Sequence, residues 1–417
     1  MGLERLNVLF FLINAAGLLP YRMILDKRNK RFERFDIAWW HPVTWWFVVV
    51  LIIQLIYTPY ITVVTVMLEI SKSNEKESII YVMAMVLWLV CYGIVKLIPV
   101  ILLFRVGKLI TVLTDLKKVD QILKKIPDKR CNSRQRTVVG FLCIISMIVT
   151  WHISSRGRML LHLETKEEIN FISLLDYLCD FITLLQFATW LLLIHLTYYS
   201  IAHRIAILEY FIADEQAPIH RGKKMITVVP FKTMSIEPDP DGQLSVRLQK
   251  FDNVFDRLAK TCNQLKCVFS FPALIILITS FLSCTINIFL LLRNFIQPES
   301  ASQNNALHYF VILTSQIAMA LIIIQSADSP AQEVKRLRSK FLRLSTKNIA
   351  SIDEAKCAAI LLALSEERVQ LSAGGLMPIG KELLPSLTAT VITYLVILLQ
   401  NAIHKKANQD KGTANRF

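Results

Sequence analysis

Seven mostly apolar stretches, each about 17 residues or longer, break up this chain and constrain it more than any other feature, because a run of that length spans the hydrocarbon core of a bilayer as a helix. They lie at about Val43–Leu68, Ile79–Phe104, Thr137–Ile153, Phe171–Ser200, Cys267–Leu292, Leu307–Ser326 and Leu383–Asn401. Charge is confined to the gaps between them, and 54% of all residues are hydrophobic, which excludes an ordinary soluble enzyme. The sequence predicts an all-α membrane protein with seven transmembrane helices.

The basic residues orient those helices. Of the Lys and Arg, 36 fall in segments 1–42, 105–136, 201–266 and 327–382, whereas the alternate segments hold only ten. Lys and Arg near span ends are retained in the cytoplasm, so the N-terminus is expected inside and the C-terminus extracellular. The net charge of +15 then reports topology and attraction to anionic membrane lipid, with no nucleic acid as partner.

Domain organisation follows. Residues 1–42 form a cytoplasmic N-terminal segment with an interfacial helix at Leu6–Leu19, anchored by basic neighbours and Trp39-Trp40. Residues 43–326 carry transmembrane helices one to six, interrupted by a mobile cytoplasmic linker at 214–242 that contains Pro218, Pro230, Pro238, Pro240 and Gly242. Ser329-Pro330-Ala331-Gln332 and Ser351-Ile352-Asp353-Glu354 have the form of capping boxes. They predict cytoplasmic anchor helices within 327–382, near 330–347 and 352–371, as part of an intracellular helical bundle. Residues 383–401 are the seventh helix and 402–417 an extracellular tail. No cysteine lies in an exterior loop, and no Cys/His spacing points to zinc, so neither a disulfide framework nor a cofactor is expected.

The seventh helix is patterned. At 3.6 residues per turn Ser386, Thr390, Thr393, Ile397, Gln400 and His404 share one stripe, while Val391, Leu395, Leu398 and Leu399 face elsewhere. A polar stripe at membrane depth suits either a water-filled pore or hydrogen bonds between packed helices.

Thr393-Tyr394, five apolar residues and Gln400, preceded by Leu371-Ser372-Ala373-Gly374-Gly375-Leu376 and set in seven spans with an inside N-terminus, resemble the insect gustatory receptor family. The motif occupies roughly the last fifty residues and the architecture the whole chain; where the family usually has Phe after the Gln, this chain has Asn401. The resemblance implies a tastant-gated, non-selective cation channel in the plasma membrane of gustatory neurons. It would be a homo- or heterotetramer whose seventh helices line one pore. Ile397 would then form an apolar gate ring, Gln400 a ring of amides at the outer mouth, and Thr393 would line the conduit below.

The resemblance also places a pocket for a small tastant, sugar or bitter, in the outer half. The outward-facing ends of the spans contain Trp88, Trp151, Asp176, Asp180, Asn287, Tyr309 and Gln316. Asp176 and Asp180 stand four apart on one helix face. They belong either to a hydrated cavity or to the headgroup-level end of the fourth span. Trp88 and Trp151 suit a pocket wall or an interfacial anchor equally. A G-protein-coupled receptor would need the opposite orientation and cytoplasmic Asp-Arg-Tyr and Asn-Pro-x-x-Tyr signatures, and a secondary transporter would show paired repeats; neither pattern is found. No nucleophile-base constellation suggests an enzyme.

Overall fold

The computed structural model describes residues 22–25, 32–36, 40–72, 86–87, 90, 93–94, 98–123, 171–209, 240–296, 303–347 and 354–414. Among these the chain is almost wholly helical: α1 Pro42–Lys72, α2 Ile98–Leu123, α3 Phe171–Ile207, α4 Pro240–Ile296, α5 Gln303–Lys347, α6 Glu354–Ala363 and α7 Leu383–Ala414. The interfacial helix at 6–19, the third apolar stretch and residues 214–239 of the linker lie outside the described residues. Two small hairpins complete the order. Strands β1 Arg22–Leu25 and β2 Phe32–Asp36 pair antiparallel, Arg22 opposite Asp36, and β3 Ser372–Ala373 pairs with β4 Met377–Pro378.

Helix length decides how much of the protein stands outside the bilayer. α4 has 57 residues and α5 has 45, which at 1.5 Å per residue gives roughly 86 and 68 Å against a hydrocarbon core of about 30 Å. Each therefore crosses the membrane and runs on, without a break, into an extramembrane bundle. Among the described residues, helices within Leu248–Leu292, Tyr309–Arg343 and Leu383–Gln400 are long and apolar enough to cross a membrane.

The extramembrane bundle is built as a soluble helical protein is. Leu109, Val112, Leu113, Leu116 and Val119 recur on one face of α2; Phe251, Val254, Phe255 and Leu258 do so on α4, and Val334, Leu337 and Phe341 on α5, all buried in one core. The Phe251 ring stacks on both Phe255 and Phe341, with centroids 6.3 and 6.5 Å away. Ion pairs between helices fix the register at the rim. Arg204 of α3 makes a two-point bond to Asp120 of α2, at 2.8 and 2.6 Å; Lys340 of α5 binds Glu209, and Arg368 reaches Asp256 of α4.

Towards and within the membrane the packing continues around α3, where Trp190, Leu191, Ile194 and Tyr198 are almost fully buried. The Trp190 ring meets Phe269 of α4 edge-on at 5.6 Å. The His195 ring nitrogen Nδ1 lies 2.9 Å from the Ser326 hydroxyl and joins α3 to α5. α1 contrasts with this core. Its Trp45, Ile52, Ile56, Tyr60, Val63 and Met67 are exposed, which suits a helix surrounded by lipid.

Three details depart from the sequence reading. Pro330 does not start a helix but lies inside α5. A proline cannot donate to the carbonyl four residues back, here Ser326, and the Ser329 hydroxyl supplies a donor to that oxygen at 3.0 Å. The same Ser-Pro pair that marks a helix start elsewhere thus repairs the ladder here. α6 ends at Ala363 and gives way to a 3-10 turn at Glu366–Arg368, so the segment expected at 352–371 is one short helix and a turn. α7 continues to Ala414, thirteen residues beyond the end of the seventh apolar stretch.

Candidate functional site

α7 begins on a short rigid platform. The β3–β4 hairpin turns at Gly374 and Gly375, whose φ angles of +61° and +77° lie in the left-handed region that favours glycine. After the hairpin Ile379 is fully buried and its N–H donates to the Leu371 carbonyl at 2.7 Å. Gly380 follows against Gln370 and Asp328, and its carbonyl accepts from Leu383 N–H at 3.0 Å, where α7 starts.

From there α7 rises with little cover from its own protomer. Leu398 is the one buried residue in 383–400. It packs with Leu395 and Leu399 against Ile286, Phe289 and Leu290 of α4, and one level below, the Tyr394 ring meets Phe281 edge-on at 6.1 Å. Ser386, Thr393, Ile397 and Gln400 are exposed and Thr390 is half-buried. From Ser386 to Gln400 the stripe read from the sequence therefore faces away from the α4 contact made by Leu395, Leu398 and Leu399; the side chain of His404 lies outside the described residues.

The hydroxyls on α7 are not bare. Thr388, Thr390 and Thr393 each donate to the carbonyl four residues back, at 2.8 to 2.9 Å. This local bond lowers the cost of holding a hydroxyl at membrane depth and leaves oxygen lone pairs outward. Ile397 interrupts the polar surface with a branched apolar group 40% exposed, which is the chemistry of a hydrophobic constriction when several copies face one axis.

The pocket residues are placed unevenly. Asn287 is buried in α4 and its amide donates to the Ser283 carbonyl and hydroxyl at 2.7 and 3.1 Å, so its donors are turned along its own helix. Gln316 is buried on α5, and Tyr309, two turns earlier, is half-buried. Asp176 and Asp180 lie in the first turns of α3, with the backbone helical there; their side chains, together with Trp88 and Trp151, lie outside the described residues. Among the described residues no three His, Cys, Asp or Glu side chains gather in a way that could hold a metal ion.

Sequence reasoning overlooked the contacts around Pro272, within α4. Arg105 of α2 gives its guanidinium to the Cys267 carbonyl, and Gly374 N–H donates to the Ser270 carbonyl at 2.9 Å. The readable signals were a proline within the fifth apolar stretch and a Gly-Gly pair before the seventh; their meeting was not readable. Lys266, in the same region, gives its ammonium to the Glu367 carbonyl, and partial burial lowers its pKa.

The 7tm Chemosensory receptor family matches residues 6–403. The fold is similar to the solved structure of the insect olfactory receptor OR5 from Machilis hrabei in complex with eugenol, with a TM-score of 0.60 at 12% identity, covering 95% of this chain and 98% of that one. It is similar also to a second solved structure of the same receptor, with a TM-score of 0.59 and the same identity and coverage. No curated protein matches the chain by sequence. A receptor family, not an enzyme family, accounts for nearly the whole length: the chain belongs to the 7tm chemosensory receptors.

Proposed function

We propose that this chain is a gustatory receptor that acts as a ligand-gated, non-selective cation channel, with four copies arranged so that their α7 helices line one pore. The observation that carries the reading is the uncovered α7. A span apolar enough to cross the membrane buries only Leu398 within its protomer and turns Ser386, Thr393, Ile397 and Gln400 outward. One striped helix cannot enclose water, whereas copies around a closed axis can. Thr393 then lines the conduit, Ile397 forms the ring that dewets it, and Gln400 sets amide dipoles at the outer mouth. The Thr393-Tyr394 to Gln400 ending supports the gustatory assignment within the family.

The basic asymmetry of the sequence sets the extramembrane bundle in the cytoplasm and the C-terminus outside. The ligand is a small tastant, sugar or bitter, held in the outer half by Asp176, Asp180, Asn287, Tyr309 and Gln316 with Trp88 and Trp151. The related olfactory receptor's complex with eugenol supports a small organic ligand. Binding opens the pore by as much as the ligand prefers the open arrangement over the closed one. Monovalent and divalent cations pass, membrane lipid covers α1, and in gustatory neurons the chain forms a homotetramer or joins related receptors in a heterotetramer.

The test is to express the chain alone, confirm it at the cell surface, and record currents against sugars, alkaloids and polyols. A ligand-evoked cation current is expected, with alanine at Asp176 or Asp180 shifting the dose-response curve and Ile397→Ser raising the basal current. Surface protein that stays silent, or an unchanged closed state in Ile397→Ser, rejects the reading.

A further inference from the structure

Proline inside a helix interrupts the ladder at a fixed place. Pro272 has no N–H for the Val268 carbonyl, and its ring crowds that oxygen, so this turn of α4 is the natural point of bending in a rod of 57 residues. It also sits where the extramembrane core, containing Leu258, Cys262 and Leu265, gives way to the span that begins near Cys267. Two carbonyls of the same stretch receive donors from other elements: Cys267 from Arg105 of α2, and Ser270 from Gly374 N–H.

A side chain at Gly374 would meet Leu274 of α4. A Cβ at this position would lie 2.6 Å from Leu274 Cδ2, far inside contact distance, and the φ of +61° already disfavours any side chain. Gly375, at φ +77°, has open space where its Cβ would be. The hairpin thus sets its first glycine, and not its second, against the α4 turn around Pro272, with Gly374 N–H bonded to Ser270 and Leu274 beside it. Nine residues later α7 begins, and the intervening Ile379 and Gly380 are both buried and hydrogen-bonded. The foot of α7 is therefore fastened to α4 through a short block with little slack.

We infer that the Gly374 hairpin is a mechanical coupler that ties the foot of α7 to a proline hinge at Pro272, so that bending of α4 between its membrane and extramembrane halves moves the base of α7. The inference rests on the channel reading for what the movement accomplishes, but the hinge and the clamp are properties of the fold. Arg105 sets the second tie, holding α2 to the same turn. The apolar Ile286–Phe289–Leu398 contact is a separate, higher attachment between α4 and α7, so movement at the hinge tilts α7 about that contact and does not detach it.

Four variants in the full-length receptor separate the contact from backbone strain. Gly374→Ala adds both strain and a clash, Gly375→Ala adds strain alone, Leu274→Ala removes the partner, and the Gly374→Ala/Leu274→Ala double variant relieves the clash. Gly374→Ala is expected to change the half-maximal ligand concentration or the basal current by about 5-fold or more, the usual lower bound for coupling between sites. Gly375→Ala should change it less, and the double variant should return towards the Gly375→Ala level. Surface-expressed Gly374→Ala with a wild-type response, or a double variant no better than the single, overturns the coupler. Should Gly374→Ala fail to fold, Leu274→Ala decides: it removes the apolar half of the contact while the Gly374–Ser270 hydrogen bond stays, and a wild-type response in it overturns the coupler. If the wild type itself passes no current, the channel reading fails by itself, and the hinge is read by spin labels placed through noncanonical residues at Lys260 and Ile278, about 27 Å apart along a straight helix. Leu274→Ala is then expected to broaden the distance distribution, and an unchanged distribution overturns the coupler.

Discussion

α4 and α7 are both apolar helices that cross the membrane, yet they solve the burial problem in opposite ways. More than half of the most apolar stretch of α4 is buried inside the protomer, whereas α7 buries only Leu398 between Leu383 and Gln400. α4 is flanked by α2, α3 and α5 along most of its length and ends in a soluble-style core with Phe251, Phe255 and Phe341 stacked together. α7 meets its protomer along one narrow edge and turns hydroxyls, an isoleucine and an amide outward. The difference teaches that hydropathy alone does not sort membrane helices by role. A helix that is apolar and buried holds the fold together; one that is apolar, striped and uncovered leaves its polar edge to be matched from outside the protomer.

The comparison predicts that equivalent cuts will have unequal effects. Phe255→Ala, at a fully buried site in the α4 core, should lower stability by about 3–5 kcal/mol, while Ile392→Ala on the exposed surface of α7 should change protomer stability by less than about 0.5 kcal/mol. Thermal unfolding of the purified receptor, followed by tryptophan fluorescence, checks both. Equal losses at the two sites would erase the distinction between the helices.

A smaller effect is expected where the bundle is held by charge. Arg204 is 7% exposed and Asp120 is 34% exposed, so Asp120→Ala takes the counter-charge from a mostly buried guanidinium that keeps only its bonds to the Ser200 carbonyl and hydroxyl and that solvent partly reaches through the vacated place. Breaking a fully buried pair costs about 3–5 kcal/mol, and partial exposure reduces the expectation to about 2 kcal/mol. Melting of Asp120→Ala beside Asp120→Asn, which keeps a hydrogen-bond acceptor, should show the larger loss for alanine.

The smallest effect leaves stability alone. Burial pushes the Cys262 thiol up to about 12, while Cys267, five residues on, is exposed. Between the usual thiol range and pH 12 the folded chain keeps the Cys262 proton that an unfolded chain releases, so folded protein near pH 8 presents no thiolate there. A membrane-permeant maleimide followed by peptide mapping should label Cys267 and spare Cys262 until the protein is unfolded. Equal labelling in the folded state would mean that the α4 core opens far more readily than its packing implies.

Much of this architecture is legible in the sequence because apolar length is a strong signal and the membrane enforces helices. The stripe on α7 is legible for the same reason: Ser386, Thr393 and Gln400 return at helical spacing, and the helix that carries them runs unbroken from Leu383 to Ala414. Continuity is less legible. Ser329-Pro330 reads as a helix start because the chemistry that caps a new helix, a hydroxyl beside a proline, is also the chemistry that mends an existing one. The hairpin at 22–36 is concealed among basic residues, with no Asn-Gly or Asp-Gly turn to announce it. Least legible are contacts between distant segments. Nothing local to Arg105 or Gly374 shows that both reach the turn around Pro272, since each partner lies about a hundred residues or more away along the chain.

The central claim, that α7 shows its Ser386–Gln400 stripe to water shared by several protomers, is tested most directly by cysteine substitution along α7 in a receptor that responds to ligand. A membrane-impermeant methanethiosulfonate applied during ligand-evoked current should modify and block channels carrying cysteine at 390, 393, 397 or 400. Channels carrying it at 395, 398 or 399 should be unaffected. Block at the second set with silence at the first, or no dependence on position, would contradict the claim.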